Sequence, residues 1–384
     1  MVQVAFPFTL PARLARPTAV AAAAGQNRAA APACSDHADP IGFEIGWDHA
    51  HHRLTPPLAH LHAENPGRQG WAAGRTAFGT RTLRASAAVR QWLALRLQAW
   101  QDGQRFEPVQ VTPFFLARLD SGLCPVSRIT LRRLTDRLAT SQPEAAQPQD
   151  AVVQRLCPQS AYAAGNLAVT SRAVAQARAK LAWHEAWQQA QRIEAGECGA
   201  VRGLDANAWA RLAVLASFAT PMAHNRAACL PLRVMPPNRV RVINPVQALQ
   251  VMLTLQFSQP GYARRVPILA TLVAGADARD AFQVFMHTLL ARRLAVGQPT
   301  DGPALRQAMD DSWTDPLLNR RWQRLALRLS AADCEELLQR AQQRGLAVGG
   351  CQWLDTPQAT DGWTGPAQPL VAARTSSGAQ KLAS

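Results

Sequence analysis

Five of the nine histidines fall within fourteen residues, at His49, His51, His52, His60 and His62, with Asp48 just ahead of them. Imidazoles and carboxylates are the usual protein ligands of divalent ions. Asp48, His49, His51 and His52 are close enough along the chain to share one, and Mg, Mn or Zn are the ions such a set would hold. On a strand, His60-Leu61-His62 would put both imidazoles on one side. The spacing matches no established ligand pattern such as His-Glu-x-x-His, and Thr55-Pro56-Pro57 interrupts any helix between the two halves. The alternative is a polar, partly exposed loop whose histidines cap or contact their neighbours.

A second group of residues lies between 123 and 180. The chain reads Leu-Cys-Pro-Val-Ser-Arg from Leu123, and later runs from Asp150 through Arg155, Cys157, Pro158, Tyr162, Gly165, Asn166, Ser171 and Ala173. Gly165-Asn166 suits a turn with positive φ that closes a hairpin before a helix. This window resembles the HNH-type ββα endonucleases of the small phage and bacterial branch, through Cys124, Pro125, Val126, Arg155, Pro158, Tyr162, Gly165, Asn166, Ser171 and Ala173. The resemblance implies a ββα element on DNA, with Asn166 bracing the metal loop and Arg155, Arg172, Arg178 and Lys180 facing phosphates. It also implies metal-assisted phosphodiester cleavage, which needs hard ligands for Mg or Mn and a base for water. Gln154, Cys157 and Ala175 stand where the family carries Asp, Asp and Asn, so a degenerate, non-cleaving module is expected.

Charge points the same way. The 384 residues carry 41 basic and 26 acidic side chains, a net +15. Only Lys180 and Lys381 are lysine, so 39 of those 41 are arginine. Residues 68–137 hold twelve arginines against Asp102, Glu107, Asp120 and Asp136. Residues 206–276 hold no Asp or Glu and seven arginines: Arg211, Arg226, Arg233, Arg239, Arg241, Arg264 and Arg265. Segregated surplus of this kind suits a polyanion, and Arg239, Arg241, Arg264 and Arg265 are candidate phosphate contacts. Solvated helix faces, or pairing with the acids around Asp333, Glu335 and Glu336, are the competing account. Trp71, between Gly70 and Gly74-Arg75-Thr76, is the best candidate base or ligand platform; most other tryptophans sit at helical spacing with leucines and belong to a core. No Walker loop, dinucleotide glycine fingerprint or Gly-x-Ser-x-Gly elbow is present.

The elements needed to position these groups are mainly helical. Val89, Trp92, Leu93, Leu95, Leu97 and Trp100 form an apolar stripe, and Asn166–Glu194 runs without Pro or Gly. Asp205 would cap a helix over 204–218, and 246–257, 278–294 and 313–344 complete the set. Arg239–Ile243 is the best strand-like alternation, and a small β-ribbon is expected near 123–155. The fold class is therefore mainly α, a multi-helix globular protein with a small ββα element. Residues 1–40 and 355–384 read as disordered tails, 41–195 as an N-terminal helical region carrying the 123–180 module, and 196–354 as a C-terminal helical domain. The uncharged run 242–263 is too rich in Asn, Gln and Pro for a bilayer core, and the seven scattered cysteines suggest reduced thiols. A cytoplasmic bacterial protein that binds nucleic acid, DNA first, is the leading expectation. An active nuclease with ligands from the His49–His62 cluster, and a scaffold whose basic segments meet an acidic protein partner, remain the alternatives.

Overall fold

The computed structural model describes residues 39–119, 122–133, 146–295, 297, 302–348 and 353–364. Helices dominate. The N-terminal ones are α1 (Pro40–His51), α2 (Pro66–Phe78), α3 (Ala87–Gln101) and α4 (Pro113–Leu119). Each start is written locally. The Asp39 carboxylate accepts from Ile41 N and Gly42 N ahead of α1, Asn65 caps α2, and the Ser86 hydroxyl caps α3 at Val89. Pro40 and Pro66 occupy first-turn positions where no intrahelical N–H is needed.

α1 and α2 cross backbone against backbone. A Cβ on Gly46 would overlap the Gly67 carbonyl, one on Gly70 would overlap that of Phe43, and one on Gly74 would meet Ala50 Cβ at 2.8 Å. Only glycine allows this approach. α3 packs on this pair through Arg96, 6% exposed, which bonds Asp48 and Glu44 and lies 4.7 Å from the Trp92 ring centroid.

The central element is an antiparallel ribbon of β1 (Ala151–Arg155) and β2 (Leu167–Ser171), in register from Ala151 opposite Ser171 to Arg155 opposite Leu167. α5 (Arg172–Arg178) follows at once, capped by Ser171, so strand, strand and helix stand in ββα order. The ribbon's second strand lies later than the sequence suggested. Asn166–Glu194 is also not one helix: β2, α5, a break at Ala179 (φ +49°) and α6 (Trp183–Glu194) share it. Pairing with β1 outweighs the helix propensity of this run, and β-branched Val169 and Thr170 favour the strand.

The remaining helices are α7 (Ala206–Ser217), α8 (His224–Cys229), α9 (Pro245–Leu255), α10 (Tyr262–Leu272), α11 (Ala276–Ala295), α12 (Gly302–Ser312), α13 (Pro316–Ala326), α14 (Ala331–Gln343) and α15 (Thr356–Ala359). Asp205 caps α7 at Ala208. α9 is buried from Val246 to Thr254, and its glutamines are satisfied there: Gln247 donates to Ser217 Oγ and Gln250 to the Leu230 carbonyl. That explains an uncharged, Gln-rich run in a protein interior. No helix among the described residues is long and apolar enough to cross a membrane.

Buried apolar residues from Leu95 to Trp363 form one contiguous cluster, which the expected boundary at 195/196 does not interrupt. Two expectations are corrected here. Arg239–Ile243 forms no strand, because Arg239 takes φ +65° and the Val240, Arg241 and Ile243 amides go singly to Pro237 O, Gly165 O and Phe218 O. Residues 355–364 are folded rather than tail-like: Trp363 is buried, and its indole N–H donates to the Ala164 carbonyl at 2.9 Å. Residues 1–38 and 365–384 lie outside the described residues.

Candidate nucleic-acid interface

The connection between β1 and β2 is held by Asn166, which is fully buried. Its Oδ1 accepts from Cys157 N at 2.8 Å, and its Nδ2 donates to the Cys157 and Ala161 carbonyls at 3.1 and 2.9 Å. Gly165, at φ +90°, precedes it, with the Arg241 side chain packed where a Cβ would sit. Cys124 Sγ accepts from Ser127 N and Ser171 N, tying the Cys-Pro-Val-Ser turn to the ribbon. Gln154 donates to Thr170 Oγ1. The ring of Tyr162 is buried, and burial raises its hydroxyl pKa against the opposing pull of Arg155.

Most of the arginines expected to face phosphate are turned to the protein itself. Arg155 donates to Gln104 and to the Pro158 and Ser160 carbonyls, and stacks 4.6 Å from the Tyr162 ring centroid. Arg178 is buried and donates to the Arg155 and Leu156 carbonyls; burial pulls its pKa down to about 10. Arg172 pairs with Asp150 at 3.5 Å. Arg241 reaches the Gln358 and Ala359 carbonyls, and Arg265 the Gln256, Gln259 and Pro260 carbonyls. Four of these five brace backbone carbonyls as struts and Arg172 meets a carboxylate, so none stands free as the sequence suggested. Unpaired carbonyls at helix ends and turns are abundant acceptors, and the five-donor fork of arginine fits them. Lys180, Arg239 and Arg264 are exposed and form no side-chain hydrogen bond among the described residues.

The metal set is corrected too. Asp48 is committed to Arg96, and His49 Nδ1 bonds the Ile45 carbonyl inside its own helix. His51 stacks on Phe78 with centroids 4.4 Å apart, and His60 Nε2 meets Gln101. His52 lies beside His51, their ring centroids 5.1 Å apart. Burial lowers the pKa of His49, His52 and His60, favouring neutral rings. Among the described residues no three His, Cys, Asp or Glu side chains gather as a metal would require.

What the same region does gather is cation. The C-terminal ends of α1 and α2 meet the 79–86 connection there: Leu83 N donates to His51 O, and Arg53 bonds Thr82 Oγ1. The Trp71 indole donates to Leu54 O, with Arg75 4.9 Å over its ring. Trp71 is half-buried and its indole is tied to the backbone, which leaves it a poor platform. Arg53, Arg75, Arg81 and Arg84 are all exposed around this junction. The only Asp or Glu between residues 49 and 101 is Glu64. Four arginines exposed around the junction of two helix C-termini complement the helix dipoles, and their charge exceeds what those termini offset. Comparison with protein-family models, curated proteins and solved structures gives no match to this chain.

Proposed function

We propose that this protein binds nucleic acid as a polyanion, DNA in the first instance, and does not cleave it. The observation that carries the reading is the group Arg53, Arg75, Arg81 and Arg84, exposed at one junction with no acidic partner among the described residues. The struts support it indirectly. An arginine bonded to carbonyls keeps its charge, so the +15 surplus is not cancelled by being used structurally. The ββα order of residues 151–178, with Asn166 bracing the connection, supports reading 123–180 as a degenerate relative of the HNH module. In that module Gln154 is an amide bonded to Thr170 and Cys157 a buried thiol. Neither offers the hard anionic oxygen that Mg or Mn chemistry uses.

The test is duplex binding by the full chain and by the R53Q/R75Q/R81Q/R84Q variant across a salt series. Each phosphate contact contributes about −0.9 to the slope of log K against log salt. The variant should keep its circular dichroism and lose roughly 3 to 4 units of slope. An unchanged slope would remove this junction from the interface.

A further inference from the structure

α4 is a seven-residue helix, Pro113–Leu119, that buries Leu116 and Leu119 and leaves Phe114 at 66% exposure. Among the described residues Phe114 is the one exposed aromatic ring; every other Phe, Tyr and Trp is buried or half-buried. One side of the ring is occupied, since the Arg118 guanidinium stacks 4.1 Å from its centroid. The Arg118 carbonyl accepts from Asn238 Nδ2 at 3.0 Å, which brings the 236–241 loop alongside. Arg239, next in that loop, is exposed with φ +65°. Val109, on the segment leading into α4, is 81% exposed as well.

The electrostatics of this surface are one-sided. Neither α4 nor the 206–276 segment contains Asp or Glu. The nearby Glu107 carboxylate is taken up by the Val109 and Gln110 amides, and Asp361 by the Gln110 side chain. An exposed ring flanked by cations with no acidic partner among the described residues suits a group with a flat π-face and a negative backbone. We propose that Phe114 is a base-stacking platform for an unpaired nucleotide, with Arg118 and Arg239 holding the flanking phosphates. This rests on the nucleic-acid reading above and adds a class of ligand, single-stranded rather than duplex. Base–aromatic stacking is sequence-tolerant because every base presents a π-face.

The experiment compares a labelled oligothymidine, an abasic oligomer of equal length and a duplex, each titrated with the full chain. Wild type should bind oligothymidine more tightly than the abasic strand. Phe114→Ala should weaken oligothymidine binding by about 5- to 150-fold, leave abasic binding and the salt slope unchanged, and be rescued by Phe114→Trp. Arg239→Gln should instead lower the salt slope by about 0.7 on both single strands. Equal binding of oligothymidine and abasic strand by wild type, or no effect of Phe114→Ala, overturns the platform, and Phe114 then belongs to a protein contact. Failure of wild type to bind any of the three overturns the nucleic-acid reading itself.

Discussion

Removing the Asn166 side chain should damage the ribbon out of proportion to its size. In Asn166→Ala the Cys157 N–H and the Ala161 carbonyl lose their hydrogen-bond partner in a site with no solvent exposure. The Cys157 carbonyl fares better, because Ser160 N still donates to it at 3.2 Å. Each orphaned buried group costs about 1–3 kcal/mol, so two cost roughly 2–6 kcal/mol, a large part of a typical folding free energy. Asn166→Asp separates hydrogen bonding from shape. Its Oδ1 can still accept from Cys157 N, but the second oxygen faces two carbonyl oxygens where the amide donated. Burial and that repulsion raise the carboxyl's folded pKa above its unfolded value. Stability is therefore retained at acid pH, where the protonated group can donate, and lost as pH rises. Urea denaturation, with hydrogen exchange over residues 151–171, measures both variants. A loss below about 1 kcal/mol in Asn166→Ala, or an Asp variant equal to wild type at about pH 8, would refute the brace.

Three further outcomes follow from named contacts. Gly70→Ala must push α2 off the Phe43 backbone and should cost about 1–3 kcal/mol; Gly199→Ala, with nothing within 4 Å, should stay within about 0.5 kcal/mol, and thermal melts distinguish them. Burial pushes the Asp310 carboxyl up to about 7, against the pull of Arg306, Arg128 and the Met235 amide. The folded state then holds a proton the unfolded state has released, so this group's contribution falls as pH rises from about 4 to 7. The stability difference between Asp310→Asn and wild type, followed by denaturant midpoints, should grow over that window and level off above it; a flat difference would contradict it. Arg178→Gln should lower the melting temperature while leaving the duplex salt slope untouched, as a strut requires and a phosphate contact does not.

The readable parts of the chain were those where local chemistry decides. The stripe Val89–Trp100 became α3, and Asp205 became the cap of α7. Glycines at 42, 46, 67, 70 and 74 carry no such local signal, because their role appears only when two helices press together. Helix propensity over 166–194 was overruled at its start by pairing with the strand just upstream, Ala151–Arg155. Arginine positions were visible but their acceptors were not: a backbone carbonyl leaves no mark in the sequence, so Arg155, Arg178, Arg241 and Arg265 read as free cations. In Pro113-Phe114-Phe115, composition alone does not say which ring turns outward; packing of Leu116 and Leu119 decides it.

Polyanion binding is read without intermediates by fluorescence anisotropy of a labelled duplex, titrated with the full chain at several salt concentrations. Affinity that falls linearly in log salt, with a slope of several units and intact duplex in the presence of Mg or Mn, is the predicted result. Absence of binding even at low salt would contradict it, and the exposed arginines would then be solvated surface.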